Sequence, residues 1–243
     1  SLIVTVGTNA ARYAYKNFKK HSIVSTLITY DGFQHNVAEV FGSEKAALNA
    51  GVSAVLLEQP VKRYFELGTT LVPEAKKVGV LLGPSSLRYE AEIEVIADAF
   101  DVKVELVKLK RSDNPIQGIQ PVLKQADYFI VLPDQQGFNR SVAKWVLQLS
   151  YRHRVPVIGY SKRYAEAGAI ASVFSSADDI ARETSRLLLL KINDPAAPNA
   201  AHQAEEFSVQ MNRSVAKAIG ITLPVAAKNP AGNGPQRYEA AVQ

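Results

Sequence analysis

Short apolar runs rich in β-branched residues alternate with helix-length stretches along most of the chain. Runs that are apolar throughout are typical of strands buried on both faces, as in a parallel sheet covered by helices. The predicted strands are residues 2–6, 23–29, 52–57, 77–82, 102–109, 128–132, 156–159, 169–174 and 207–211. The predicted helices are residues 9–20, 61–71, 89–99, 115–124, 140–151, 177–192 and 214–219. This alternation predicts an α/β fold built from doubly wound parallel sheets.

Two features of the pattern indicate how the chain is divided. The polar segment 73–77 separates two strand–helix series, which predicts two lobes rather than one nine-stranded sheet. The segment 225–243 is rich in glycine, proline and asparagine near its start, so a flexible tail is expected there. The first predicted strand begins at Leu2 without any lead-in, and we therefore expect the first lobe to be N-terminally truncated.

Composition narrows the classes of protein that fit. The 243 residues are 47% hydrophobic and 21% charged, which is typical of a globular protein. Cysteine is absent from the sequence, which excludes disulfides, thiolate metal sites and a cysteine nucleophile. The net charge of +5 is spread along the chain, so a nucleic-acid partner is not expected. No apolar run reaches the roughly 18–20 residues of a membrane span, and direct membrane insertion is not expected.

Sequence motifs do not support catalysis. Ser-x-x-Lys occurs at Ser141 and at Ser214, but the companion motifs of the penicillin-binding enzymes are absent. The segment 159–163 begins like a nucleophile elbow, yet Arg163 stands where the sharp turn requires glycine. The four histidines lie far apart, and no nucleotide-binding glycine motif occurs. We therefore predict a protein that is not an enzyme, with no catalytic residues, no metal and no cofactor.

Polar and aromatic residues follow five of the predicted strands. In open α/β sheets, ligands bind outside the carboxyl ends of the strands, so these residues predict a small-molecule site. Strand-to-helix turn chemistry alone explains any single loop equally well, and the repetition at five strand ends favours a ligand. The candidate ligand-binding residues are Gly7, Thr8, Asn9, Thr29, Tyr30, Ser85, Ser86, Asp134, Tyr160 and Ser161.

Four segments, in this order, resemble a known family. They are the strand and turn at residues 2–8, the linker at 72–81, the Val-Pro-Val-Ile-Gly-Tyr-Ser run at 155–161, and the C-terminal segment at 207–224. Together they resemble the ABC transporter substrate-binding proteins of the tryptophan/tyrosine type. The likeness spans roughly residues 1–224, and its specificity comes from the ordered set rather than from one motif.

The resemblance implies a type I periplasmic-binding-protein fold with a ligand cleft between two lobes. Lobe 1 would comprise residues 1–74 and 169–194, and lobe 2 residues 75–168 and 205–224. It also implies the solute-binding component of an ABC-type uptake system, periplasmic or exported, with an ABC permease as partner. The solute would be a small organic molecule, with amino acids and aromatic compounds as candidates. Tyr30-Asp31-Gly32 replaces the family's usual Asp-Pro, and this difference argues against an amino acid as the solute.

A second function fits the same sequence features. The type I fold also serves as the ligand-sensing domain of regulatory or signalling proteins, and fold alone does not decide between them. The solute-binding component is the first hypothesis, and the sensing domain is its alternative.

Overall fold

A computed structural model describes residues 1–110, 112–134 and 138–224, together with the backbone of residues 236–240. The strands are β1 (Leu2–Val6), β2 (Ser22–Ile28), β3 (Val52–Leu56), β4 (Lys77–Leu82), β5 (Lys103–Lys108), β6 (Tyr128–Val131), β7 (Val157–Gly159), β8 (Ala171–Phe174), β9 (Ala201–Gln203), β10 (Phe207–Met211) and β11 (Gln236–Ala240). The helices are α1 (Thr8–Asn17), α2 (Tyr30–Phe41), α3 (Glu44–Asn49), α4 (Val61–Leu71), α5 (Glu90–Ala99), α6 (Pro115–Leu123), α7 (Arg140–His153), α8 (Lys162–Glu166), α9 (Ala177–Asn193) and α10 (Arg213–Ile219), with a short 3₁₀ turn at Ser86–Tyr89.

The strands form two sheets, and the chain divides into two compact units around them. Unit 1 comprises Ser1–Gln59 and Ser175–Phe207, and unit 2 comprises Pro60–Phe174 and Ser208–Gln243. The sheet of unit 1 has the order β1-β2-β3-β9, and all its pairs are parallel. The other sheet has the order β11-β10-β8-β7-β6-β4-β5 and is parallel from β8 to β5, whereas β10 runs antiparallel to β8.

The boundaries of the units differ from the lobe boundaries that the resemblance implies. Helix α4 belongs to unit 2, because Gly68 lies directly against the buried ring of Tyr128 in β6. Strand β8 also belongs to unit 2, because it pairs with β7 through Ile158 and Ala171. The boundaries therefore fall near residues 60 and 175 rather than near 75 and 169.

Unit 1 packs helices on both faces of its sheet. On one face, α1 and α2 contribute buried apolar residues such as Tyr15 and Phe33. On the other face, Ile180 and Leu187 of α9 pack on Val24 and its neighbours. The strands are mostly apolar on both sides for this reason, although β2 also carries the buried polar residues Ser25 and Thr26.

The start of the chain lies at an edge of this unit. Among the described residues, β1 pairs only with β2, and Val4 and Val6 are 46% and 61% exposed. An edge strand of this kind leaves a row of backbone N–H and C=O groups without partners in the sheet.

Unit 2 is also a three-layer arrangement. Helices α6 and α7 cover one face of its sheet, and Ile119 and Val146 pack there on Phe129. Helices α4 and α5 pack against each other, and the rings of Phe65 and Phe100 meet with their centroids 6.0 Å apart. The described part of the chain holds no helix long and apolar enough to cross a membrane.

Five elements were not predicted from the sequence. Helix α2 begins at Tyr30, where Tyr30-Asp31-Gly32 is typical of a turn, and the Thr29 hydroxyl caps it by accepting a hydrogen bond from Gly32 N at 3.2 Å. Helices α3 and α8 and strand β9 are six, five and three residues long, too short for a clear periodic signal. Strand β11 falls within the expected flexible tail, whose residues 225–235 and 241–243 lie outside the described residues.

The close approach of α4 to β6 generates the first prediction. A methyl group on Gly68 would lie 2.4 Å from Tyr128 Cζ, and the Tyr128 side chain is fully buried. We expect Gly68→Ala to lower the free energy of unfolding by about 1–3 kcal/mol through overpacking, although alanine favours a helix by about 1 kcal/mol. Chemical denaturation measures the change.

The matched control is Gly118→Ala in α6. Its methyl group would lie 3.0 Å from Cδ2 of Leu109, the movable end of a side chain, so the change should be close to neutral. Equal losses of stability in the two variants would contradict the packing of α4 in unit 2.

Candidate functional site

In unit 2, three neighbouring strands bring their polar loops to one edge of the sheet. Strands β4, β6 and β7 are adjacent and parallel, so their carboxyl ends lie side by side. The loops that follow them carry Ser85 and Ser86, Asp134, and Tyr160 and Ser161, respectively. The structure thus places these five candidate residues at a single edge, as the strand-end rule requires.

Asp134 is the centre of a buried hydrogen-bond network at this edge. Its Oδ2 accepts hydrogen bonds from the Ser86 backbone N at 2.7 Å and from Ser86 Oγ at 2.8 Å. The same hydroxyl oxygen accepts a hydrogen bond from Gly83 N at 2.8 Å. Only glycine fits at position 83, because a Cβ there would lie 2.6 Å from the carboxylate. Asp134 therefore ties the loop after β4 to the loop after β6.

Ser85 lies next to this network without joining it. Its side chain is 8% exposed, and its hydroxyl has no hydrogen-bond partner among the described residues. A buried hydroxyl that forms no hydrogen bond is costly in a folded protein. Ser85 Oγ is therefore a group that a bound molecule could satisfy.

Two tyrosine rings pack against each other at a tilt beside the third loop. The rings of Tyr160 and Tyr164 have their centroids 5.4 Å apart, and Ser161 Oγ caps α8 by accepting a hydrogen bond from Tyr164 N at 3.2 Å. Burial raises the pKa of Tyr160, and the negative charge of Asp134 adds to the effect. Burial raises the pKa of Tyr164 further, so both hydroxyls remain protonated and can donate hydrogen bonds.

A cavity of about 330 Å³, here called the Tyr160 cavity, opens beside these loops within unit 2. This volume is at the lower end of the range for small-molecule sites. Apolar side chains from β4, β6 and α7 form much of its wall, and arginines from α7 and α8 line it as well. The lining includes Leu81, Val131, Leu147, Tyr160, Tyr164, Arg140 and Arg163.

In unit 1, the loops after β1 and β2 are joined through helix α2. The buried amide of Asn36 donates a hydrogen bond to the Thr8 carbonyl at 2.8 Å, and its Oδ1 has no partner among the described residues. Gly7 is the N-cap residue of α1 and has a φ of 84°. Asn9 is exposed in the first turn of that helix. Thr8 and Thr29 both lie close to Gly32 at the start of α2.

The loop after β3 adds to the candidate residues of unit 1 one residue that was not predicted from the sequence. Both carboxylate oxygens of Glu58 accept hydrogen bonds from the Tyr30 backbone N at 2.8 Å, and Glu58 is 7% exposed. Glu58 follows a predicted strand in the same way as the other candidates, so the strand-end rule could have found it. Asn36 gave no such signal, because it lies inside a helix that was not predicted.

The candidate residues therefore fall into two groups, one in each unit. Gly7, Thr8, Asn9, Thr29 and Tyr30 lie at the carboxyl ends of β1 and β2. The other five lie at the carboxyl ends of β4, β6 and β7. In both groups, several side chains already bond to the protein and shape the loops, as Ser86, Asp134 and Thr29 do.

The chain has an α/β fold with two mainly parallel sheets, and solved structures with a type I periplasmic-binding-protein-like fold match it. A ligand-free, open structure of a substrate-binding protein with adhesive properties from Clostridium difficile matches with a TM-score of 0.70 and 20% identity, covering 98% of this chain and 78% of that one. A conserved domain protein from Vibrio cholerae matches with a TM-score of 0.64 and 22% identity, covering 93% and 75%.

The family follows from the sequence. The chain belongs to the ABC transporter substrate-binding protein family, whose sequence model matches residues 1–232. An ABC domain from Streptococcus pneumoniae, solved in complex with L-Trp, matches with a TM-score of 0.61 and 20% identity, covering 92% of this chain and 76% of that one. No curated protein matches the chain.

The adjacent serines at the edge of unit 2 generate the second prediction. Ser86→Ala removes a hydroxyl that bonds both Gly83 N and Asp134, so we expect the free energy of unfolding to fall by about 1–3 kcal/mol. Ser85→Ala removes a hydroxyl without a described partner, so stability should change by less than about 0.5 kcal/mol. Denaturant unfolding of both variants makes the comparison. A larger loss for Ser85→Ala would show that the network is wrongly assigned.

Proposed function

We propose that the protein is the solute-binding component of an ABC-type uptake system and binds a small organic solute without transforming it. The observation that carries the proposal is the gathering of polar and aromatic groups at the carboxyl ends of parallel strands in a chain of this family. Ligands of open α/β sheets bind at such edges.

Binding groups with distinct chemistry are present in each unit. Unit 2 offers the hydroxyl of Ser85 and the ring of Tyr160, and an aromatic ring gives a flat solute a large contact area with few rotors to freeze. Unit 1 offers Thr8, Thr29 and Tyr30 on strand-end loops.

The class of solute follows from the same groups. Aromatic compounds and amino acids are the candidates, and the L-Trp complex of the Streptococcus pneumoniae neighbour supports an aromatic solute. The partner would be an ABC permease, and the location periplasmic or exported, because these accompany the family's role in uptake.

The absence of a catalytic step is also part of the proposal. Asp134 is 4% exposed and hydrogen-bonded to Ser86, and the Ser161 hydroxyl caps α8, so their local bonds account for both groups. No group of three or more metal-ligating side chains occurs in the described residues. We propose that a solute leaves the protein in the form in which it entered.

Mass spectrometry of purified protein tests this function. We expect denaturation to release one solute in near-stoichiometric amount, and prolonged incubation of that solute with fresh protein to return it unchanged. Conversion of the solute by the pure protein would contradict the proposal. So would a protein that releases no solute and binds none from a panel of amino acids and aromatic compounds.

Single substitutions test where on the protein the solute binds. Because Ser85 Oγ has no described partner, Ser85→Ala should weaken binding of the released solute about fivefold while leaving stability unchanged. Tyr160→Ala should weaken it at least tenfold, and Tyr151→Ala, an exposed tyrosine on α7, is the matched control with unchanged affinity. Calorimetric titration measures the dissociation constants. Equal affinities in all three variants would place the solute elsewhere.

A further inference from the structure

Two arginines line the Tyr160 cavity without a carboxylate partner. Arg140 is the first residue of α7, and Arg163 lies in α8. Neither forms an ion pair with any residue in the described part of the chain, and both are exposed. By contrast, Arg182 and Arg186 of α9 are each bonded to acidic side chains. Arg140 and Arg163 are therefore not explained by local ion pairing.

Helix stability does not explain Arg140 either. The positive end of the helix dipole lies at the start of α7, where acidic residues stabilise and basic residues destabilise a helix. The first turn of α7 contains no acidic residue, and Arg140 adds a full positive charge to that end. At the other end of the same helix, Arg152 and His153 do follow the dipole rule. The start of α7 is therefore electropositive at a cost that a bound anion would relieve.

Tyr164 gives independent evidence of a missing polar partner. It lines the cavity, it is 7% exposed, and its hydroxyl has no hydrogen-bond partner among the described residues. Burial keeps this hydroxyl protonated, so it is a donor without an acceptor. An anionic oxygen is the acceptor that would satisfy it best.

Most of the remaining lining is apolar or aromatic, and Asn139 and Ser161 are its other polar residues. Leu81, Val131 and Leu147 line the cavity together with the tilted, adjacent rings of Tyr160 and Tyr164. Among the described residues, no carboxylate lines the cavity, so the lining offers an ammonium group no ion-pair partner. The lining combines cations and a hydroxyl donor with an apolar surface, which fits one anionic group carried on an apolar body.

From these observations we propose that the Tyr160 cavity binds an organic acid with an apolar body and no ammonium group. Arg140 and Arg163 neutralise the carboxylate, and the Tyr164 hydroxyl donates a hydrogen bond to the solute. The inference rests on the proposed function, because it names the chemical class of the solute and the groups of unit 2 that recognise it.

Calorimetric titration of the full chain, after denaturation and refolding to remove any bound solute, tests this class. The probes are benzoate, 3-phenylpropionate and hexanoate, each compared with its uncharged primary amide, and L-phenylalanine as a zwitterion. At least one acid should bind about tenfold more tightly than its amide, and 3-phenylpropionate more tightly than L-phenylalanine. Failure of all three acids to bind would overturn the inference, as would equal affinity for acid and amide or tighter binding of L-phenylalanine.

Three variants assign the residues. Arg140→Gln and Arg163→Gln should each weaken binding of the acid about tenfold. Tyr164→Phe should weaken it about fivefold while leaving the unfolding midpoint unchanged or higher, because it removes a hydroxyl without a partner. The control is Arg152→Gln, the same change of charge on α7 about 18 Å away along the helix axis, where affinity should not change.

The outcomes separate this inference from the proposed function. Unchanged affinity in Arg140→Gln and Arg163→Gln would overturn the assignment of the arginines. If the native protein releases a neutral or cationic solute on denaturation, the inference fails and the binding function stands. If the protein neither releases nor binds any solute, the binding function fails, and the inference fails with it.

Discussion

Parallel pairing of the strands is the constraint on which the structure depends. It sends the carboxyl ends of β1, β2 and β3 to one edge of unit 1, and those of β4, β6 and β7 to one edge of unit 2. Because both faces of each sheet are covered by helices, the strands are mostly apolar, and the polar groups that can reach a solute lie mainly in the loops at these edges. We therefore expect a solute site in either unit to be built mainly from strand-end loops.

Those loops combine residues that fix the loop conformation with residues whose polar groups remain available to a solute. Asp134, Ser86 and Gly83 bond to one another and fix the loops after β4 and β6. Ser85 beside this network and Tyr164 in α8 are also buried, and their hydroxyls have no partner in the described chain. A fixed scaffold that leaves a few polar groups unsatisfied lowers the cost of ordering a site when a solute binds.

The sequence predicted the α/β class and most of the strands, because buried parallel strands have a strong apolar signal. It also predicted which polar residues follow those strands. It placed Asp134 and Tyr160 correctly at strand ends, but it could not show that Asp134 bonds Ser86, because that contact joins residues 48 positions apart. It missed α2, since Tyr30-Asp31-Gly32 reads locally as a turn, and with α2 it missed Asn36. The sequence did not indicate that Arg140 and Arg163 act together, because only the folded chain brings α7 and α8 to the same cavity.

Amide hydrogen exchange with and without the released solute tests the central claim most directly, because it reports where on each sheet the solute binds. We predict slower exchange at the carboxyl-end loops, namely residues 83–86, 134 and 159–164 in unit 2 and residues 7–9 and 29–32 in unit 1. The amino ends of the same strands, such as residues 76–77 and 127–128, should not change. Protection at the amino ends, with none at the carboxyl-end loops, would contradict it.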